Sequence, residues 1–222
     1  VLALGHNHDK IIEVEKKFQD LNLIDIQKFG PNKLQAALAY NLSQLLPGDL
    51  DVSFFAVSGA EAVEAAIKLA TMAKGKEAKY FISAKEGYHG KTLGALSVTD
   101  TENFSEGFHL GLQEENTINI EYNNIEAYKN IIEKYSKEKI CAIILEPIQG
   151  QIVEVAKKEY LEEICNISKK NNITVIFDEI KCGLGRSGNL FSFLDYECVP
   201  DIVTTSKALG GGKNAISAMV AS

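Results

Sequence analysis

The sequence predicts an α/β protein with a mainly parallel sheet flanked by helices. Segments with apolar residues three and four positions apart alternate along the chain with short runs rich in β-branched and aromatic residues. Several of those runs are apolar on both faces, which is typical of buried parallel strands. Alternation and two-sided burial together indicate a sheet covered by helices.

The predicted elements follow one another in a regular order. Helices are expected near residues 10–21, 33–46, 60–73, 125–135 and 160–170, and strands at 52–57, 79–83, 140–145, 173–177, 202–205 and 215–220. No internal repeat and no low-complexity tract interrupts them. We therefore expect an N-terminal helical arm over residues 1–50 and one larger domain over residues 51–222.

Composition narrows the classes of function. The 222 residues carry a formal net charge of −7 at pH 7, which argues against a nucleic-acid-binding surface. No apolar run approaches the roughly 20 residues of a membrane helix, so we expect a soluble protein that does not enter membranes. The four cysteines lack zinc-binding or redox spacing and are expected to be reduced thiols of a cytoplasmic protein. Because the chain begins with neither a methionine nor a secretory signal, we interpret it as a fragment or a processed chain.

The junction after the strand at 52–57 has the features of a phosphate site. Ser58, Gly59 and Ala60 open a helix there, and free amides and the helix dipole favour an anion at such a point. Gly59 lets the backbone approach a ligand closely, and Ser58 adds a hydroxyl donor. Alternatively, Ser58 serves only as the N-cap of the helix.

Two further strand ends carry an aromatic ring, an imidazole and a carboxylate. Tyr88 and His89 lie between glycines after the strand at 79–83, where tyrosine can stack on a flat cofactor ring or simply belong to a surface turn. Glu146 ends the strand at 140–145 and precedes a proline, which favours an extended backbone and projects the carboxylate from the strand. Glu146 either contacts a ligand or is an ordinary acid at a strand end.

Asp178 directly follows the predicted strand at 173–177, in which four of the five residues are apolar and expected to be buried, and a charge there is costly unless a cation pairs with it. A protonated pyridine nitrogen would be such a cation. The glycines from Gly183 to Gly188 also match the spacing of a dinucleotide fingerprint. That fingerprint requires a helix at the third glycine, and the residues after Gly188 lack helical periodicity, so a nicotinamide site is disfavoured.

Lys207 follows the strand at 202–205 and precedes three glycines. Most lysines are solvated surface charges. A lysine at a buried strand end, in a pocket with apolar or cationic neighbours, has a lowered pKa and acts as a nucleophilic amine. We therefore expect Lys207 to be the reacting amine.

Together these residues resemble the class III pyridoxal-phosphate (PLP)-dependent aminotransferases, the family that includes the ornithine, acetylornithine, 4-aminobutyrate and putrescine enzymes. The resemblance spans nearly the whole chain, with matching order and spacing. It rests on six segments: SGAEA at 58–62, YHGKTLGA at 88–95, EPIQG at 146–150, DEI at 178–180, GLGRSG at 183–188 and KALGGG at 207–212.

The resemblance implies the large domain of a PLP-dependent transferase with the aspartate aminotransferase-like fold. We expect the family's C-terminal small domain to be absent from this chain, and we expect the chain to need that part for turnover. In such a domain, the segment from Ser58 to Ala60 would hold the cofactor's phosphate. Tyr88 and Ile180 would cover the two faces of the ring, with His89 as a further cofactor contact.

The same resemblance implies the reacting groups. Lys207 would form the Schiff base, Asp178 would pair with the pyridine nitrogen, and Glu146 would lie near the substrate or the ring. Amino transfer would be ping-pong: a donor, with the ω-amino group of a diamine or amino acid favoured, passes its amino group to a 2-oxo acid. The expected assembly is a homodimer. The alternatives are a PLP enzyme of another reaction type, such as a mutase, racemase or decarboxylase, or a truncated non-catalytic domain.

Three positions depart from the family pattern. Lys181 and Cys182 stand where Gln-Thr is usual, so Lys181 is a candidate contact for the cofactor's phenolic oxygen. Gln151 replaces a carboxylate that interacts with a substrate-binding arginine in several relatives, which weakens inference of the substrate. Lys213 follows the glycines where proline is more common, and this places a second lysine near the site.

Overall fold

The computed structural model describes residues 2–22, 32–101, 104, 106–108 and 116–222. Val1 and residues 23–31 of the predicted N-terminal arm lie outside this range. The helices are α1 (Asp9–Asp20), α2 (Lys33–Leu45), α3 (Gly59–Lys74), α4 (Leu93–Ser97), α5 (Ile125–Tyr135) and α6 (Lys158–Lys170). The strands are β1 (Val52–Ala56), β2 (Tyr80–Ala84), β3 (Thr117–Ile120), β4 (Ile140–Leu145), β5 (Thr174–Asp178), β6 (Ile202–Thr205) and β7 (Ser217–Ala221).

Every helix and strand expected from the sequence is confirmed, with ends displaced by at most two residues. The sequence analysis missed β3 and α4. Strand β3 has four residues, only one of them buried, so it lacks the apolar run that marked the other strands. Helix α4 has five residues, too few for helical spacing to emerge. None of the described helices is long and apolar enough to cross a membrane.

The seven strands form one sheet in the order β1-β7-β6-β5-β4-β2-β3. Pairings from β6 to β3 are all parallel, whereas β7 runs antiparallel to both of its neighbours, β6 and β1. The predicted mainly parallel sheet is therefore correct, with β7 as the exception. The chain between β6 and β7 contains only a short 3-10 turn at Lys207–Gly210, and a parallel return would need a longer crossover.

Two apolar layers cover the faces of the sheet. Helix α3 packs on one face through Val63, Ala66 and Ile67, while α2, α5 and α6 pack on the other. All six residues of β4 are buried, because this strand has neighbours on both sides and helices on both faces. The arrangement brings the carboxyl ends of β1, β2, β4, β5 and β6 to one edge of the sheet, where α/β proteins bind ligands.

Candidate functional site

A cavity of about 640 Å³ opens at this edge of the sheet. Its walls include nearly all the site residues expected from the sequence. Those residues are Gly59, Ala60, Tyr88, His89, Glu146, Asp178, Ile180, Lys181 and Lys207. Their strand-end positions place them together although they are spread over almost 150 positions of sequence.

Ser58 is the one expected residue that does not line the cavity. It is the N-cap of α3 and forms a capping box with Glu61: the Ser58 hydroxyl lies 2.8 Å from Glu61 Oε2, and the Ser58 N–H donates to the same oxygen over 2.7 Å. The capping role is therefore present. Gly59 and Ala60 line the cavity, and within the described chain their first-turn amides have no hydrogen-bond acceptor.

Asp178 ends β5 and is buried with His89. His89 Nδ1 lies 2.8 Å from Asp178 Oδ2, and the N–H of Ile180 donates to Asp178 Oδ1 over 3.0 Å. Burial disfavours a charged His89, but the hydrogen bond to Asp178 and the charges of Asp178 and Glu146 outweigh burial, so the pKa of His89 is raised. The pair thus places an imidazole against one side of the Asp178 carboxylate.

Glu146 is a buried carboxylate held by two backbone donors. The N–H of Tyr88 donates to Oε2 over 3.0 Å, and the N–H of Gly150 donates to Oε1 over 2.9 Å. Burial raises the pKa of Glu146, and the charge of Asp178 adds to this increase, while His89 and the two amides oppose it. Glu146 follows β4 directly and lines the cavity.

Lys207 begins the 3-10 turn that follows β6, and its side chain is half-buried. Its φ angle of 44° is in the left-handed region, which is uncommon for a residue with a side chain and is frequent at functional sites. Burial lowers the pKa of Lys207, Asp178 and Glu146 act in the opposite direction, and Lys181 lowers it further. The amine is therefore more easily deprotonated than that of a surface lysine.

The cavity walls include an aromatic side and an aliphatic side. Tyr88 contacts Phe104 edge to face, with 5.7 Å between ring centroids, and the Lys91 amine lies 3.8 Å from the Phe104 centroid. Ile180 packs so closely on Gly59 that a Cβ there would lie 2.9 Å from Ile180 Cδ1. Glycine at position 59 is therefore needed for this close contact.

These residues fit PLP by their chemistry. The first-turn amides of Gly59 and Ala60 suit a phosphate, a buried carboxylate suits a protonated ring nitrogen, and an aromatic and an aliphatic side chain suit the two faces of a flat ring. Lys207, with its lowered pKa, suits a reaction with an aldehyde. Each group lies on the same cavity.

Five cavity residues had no site role in the sequence analysis: Gly90, Lys91, Thr92, Gly150 and Ser206. The first four belong to the segments at 88–95 and 146–150, on which the family resemblance partly rests, and Ser206 precedes Lys207. In the sequence, only these neighbouring residues indicated that the five positions lie near the site. Gln151, noted only as a departure, also lines the cavity. The stretch from Gly183 to Gly188 forms turns without a helix, exposed from Gly185 onward, as expected for a false fingerprint.

Comparisons with known proteins agree with this geometry. A family model described as "Aminotransferase class-III" matches residues 1–222. An acetylornithine aminotransferase of Methanocaldococcus jannaschii is 39% identical over 217 residues, which cover 94% of this chain and 52% of that protein. A putrescine aminotransferase of Pectobacterium atrosepticum is 36% identical, over 100% of this chain and 47% of that protein.

The fold also matches a solved structure. The ornithine aminotransferase of Toxoplasma gondii, crystallised with oxidised glutathione and showing partial occupancy of PLP at its active site, superposes with a TM-score of 0.87 at 27% identity. The match covers 99% of this chain and 52% of that one. The chain spans about half the length of the curated relatives it matches.

Proposed function

Because this chain belongs to the class-III aminotransferase family, we propose that the protein is a PLP-dependent aminotransferase that moves an amino group from a donor to a 2-oxo acid in two half-reactions. The observation that carries the proposal is the shared cavity. Lys207, Asp178 and two free amides of α3 face the same space, and this is the set of groups that PLP chemistry requires.

The cofactor would supply an aldehyde that joins to amines and a ring that accepts electrons from the substrate carbon. The amides of Gly59 and Ala60 would bind its phosphate, and Tyr88 and Ile180 would hold its ring between them. His89 would support Asp178 from the side, and Glu146 and Lys181 would complete the walls. We also propose that the Ser58 hydroxyl contacts the phosphate while it forms its capping bond to Glu61.

Two residues would handle protons. Asp178 would hold a proton at the ring nitrogen, because each of its carboxylate oxygens accepts one hydrogen bond within the protein and has a second lone pair for another. Lys207 would take a proton from the substrate carbon as a general base in the first half-reaction and would return a proton to the corresponding carbon of the 2-oxo acid in the second. A lowered pKa suits this role, since the amine must be uncharged to accept the proton.

We favour the ω-amino group of a diamine or amino acid as the donor group. The compounds in the names of the two relatives, acetylornithine and putrescine, both carry a primary amine at the end of a carbon chain. Domain boundaries at 1–50 for the N-terminal arm and 51–222 for the PLP-binding large domain belong to the same proposal.

The assembly and the compartment are further parts of the proposal. We propose a homodimer, because the edge strand β1 presents two apolar side chains, Val52 and Phe54, that are 63% and 54% exposed. We place the protein in the cytoplasm, where its unpaired cysteines would stay reduced.

The test uses the full-length protein. With PLP added, we expect visible absorbance from cofactor joined to the protein, and borohydride treatment followed by peptide mapping should fix the cofactor on Lys207. Lys207→Ala should abolish this label, while Lys213→Ala, a change to a lysine six positions further on, should retain it. Attachment to any other lysine would refute the assignment.

A second measurement distinguishes amino transfer from the other reaction types. A primary diamine and 2-oxoglutarate should yield glutamate with the wild-type protein. Cofactor attachment without glutamate formation would favour a mutase, racemase or decarboxylase, and failure of the full-length protein to bind PLP would favour a non-catalytic role.

A further inference from the structure

Three lysines, Lys91, Lys181 and Lys207, line the cavity from different elements. Lys207 follows β6, and Lys181 lies in the turn after β5. The Lys181 amine donates a hydrogen bond to the carbonyl oxygen of Gly150, in the loop after β4. This bond holds the Lys181 ammonium against the cavity wall.

The same Gly150 peptide also holds Glu146, through the bond from its N–H to Oε1. The contacts around Gly150 are close: a Cβ there would lie 2.7 Å from Lys181 Cδ and 2.9 Å from Glu146 Oε1. The absence of a side chain at position 150 therefore allows Lys181 and Glu146 to approach one backbone segment from two sides.

Without Lys181, negative charge would predominate among the groups that act on Lys207. Asp178 and Glu146 both favour a protonated Lys207. Asp178 is paired with His89, but Glu146 has no ion-pair partner among the described residues. In the described part of the chain, Lys181 forms no ion pair with a carboxylate, so its charge is not cancelled by a close partner.

We propose that Lys181 is a positioning residue whose ammonium, fixed on the Gly150 carbonyl, offsets the cavity carboxylates and keeps the Lys207 amine in its uncharged, nucleophilic form. The proposal rests on the proposed function, in which Lys207 is the reacting amine.

The groups that face Lys207 come from several elements. From the turn after β5 come Lys181 and Cys182, from β5 itself comes Asp178 with His89 bound to it, and from the end of β4 comes Glu146. Tyr88 and Lys91 face the cavity from the loop after β2. Burial and the Lys181 charge lower the pKa of Lys207, and the carboxylates and Cys182 raise it.

The experiment measures the titration of Lys207 directly. Full-length protein stripped of cofactor would be trace-labelled with acetic anhydride over a range of pH, and the label on Lys207 would be quantified by peptide mass spectrometry. In Lys181→Met and Lys181→Gln, the titration midpoint should move to higher pH, because a neighbouring cation has been removed. At neutral pH the label on Lys207 should fall at least about threefold, which corresponds to half a pKa unit.

Two variants separate charge from shape. Lys181→Arg keeps the charge and should keep the wild-type midpoint, while Lys213→Met removes a surface lysine bound to Glu15 and should also leave it unchanged. An unchanged midpoint in both neutral variants would overturn the proposal, as would an equal shift in Lys181→Arg. Circular dichroism identifies any variant that fails to fold, and the other neutral variant then decides.

The labelling needs no cofactor, so its outcome is independent of the proposed function. A wild-type protein that never binds PLP would refute the function even if the coupling between the two lysines were found. A protein that binds PLP on Lys207 with no midpoint shift in the neutral variants would refute only the role of Lys181.

Discussion

Each carboxylate oxygen of Asp178 has a hydrogen-bond partner within the protein: His89 Nδ1 at Oδ2 and the Ile180 N–H at Oδ1. Asp178→Asn keeps the size and one acceptor but removes the negative charge that would hold a proton at the ring nitrogen. We expect PLP to remain bound and amino transfer to fall roughly 100-fold or more, as when other charge-stabilising groups are removed. Steady-state rates at saturating donor measure the effect.

Asp195→Asn provides the matched control for that change. Asp195 is an exposed carboxylate that accepts a hydrogen bond from Asn189 outside the cavity. Its variant should transfer amino groups at the wild-type rate. Full activity of Asp178→Asn would show that the Asp178 charge is not used.

Glu179, next to Asp178, is a buried acid with a structural contact. Its Oε1 accepts hydrogen bonds from the Ser192 hydroxyl over 2.6 Å and the Phe193 N–H over 2.7 Å. Burial raises the pKa of Glu179, and these bonds only partly oppose the increase. Folding favours the protonated form of Glu179. Its contribution to the free energy of unfolding is therefore fully present below the usual pKa of 4.5 and is lost as the pH rises through the pKa in the folded state.

Glu179→Gln should remove this pH dependence while its amide oxygen keeps the bonds to Ser192 and Phe193. Urea unfolding should be measured near pH 4.5 and near pH 7.5. As the pH rises, the free energy of unfolding of the variant should increase relative to that of the wild type, by about 1.4 kcal/mol for each unit by which the Glu179 pKa is raised. Glu13→Gln, on an exposed position of α1, should show no such gain. A difference that stays constant with pH would contradict the argument.

At the scale of elements, the first turn of α3 combines a capping box with a cavity wall. Ser58→Ala removes the hydroxyl that accepts from the Glu61 N–H and contacts the Glu61 carboxylate. We expect a loss of about 1 kcal/mol in the free energy of unfolding, measured by urea titration without cofactor. Ser43→Ala, which removes a hydroxyl bound to the Tyr40 carbonyl on α2, should have a smaller effect.

The same variant tests whether Ser58 also binds phosphate. A capping role alone would leave PLP affinity close to that of the wild type once the protein is folded. A further loss of PLP affinity would support the hydroxyl as a phosphate donor. Equal unfolding free energies for Ser58→Ala and the wild type would contradict the capping role.

At the scale of the whole molecule, the exposed face of β1 is the region proposed for dimer contact. Phe54→Glu places a charge among apolar side chains and should shift the full-length protein from dimer towards monomer in sedimentation velocity. Met72→Glu, at a side chain on α3 that is 80% exposed, is the control and should leave the dimer intact. A monomeric wild-type protein would refute the homodimer, and a dimeric Phe54→Glu variant would show that the interface does not include this face of β1.

Most elements of the fold follow from local pattern. The spacing that marks α3 or β4 is contained in the element itself, so it can be read without knowing its neighbours. Strand β3 and helix α4 are too short to carry such a pattern. The reversed direction of β7 was not predictable in this way, because strand direction depends on which strands pair across the sheet.

The sequence by itself determined the fold class and the strand ends that carry Glu146, Asp178 and Lys207, because apolar runs and the polar residues that end them are local features. Only the tertiary structure decided which side chains meet. His89 and Asp178 are 89 positions apart, and the contact of Lys181 with the Gly150 carbonyl spans 31 positions. Such contacts arise from strand order and loop packing, which the spacing of residues along one chain does not contain.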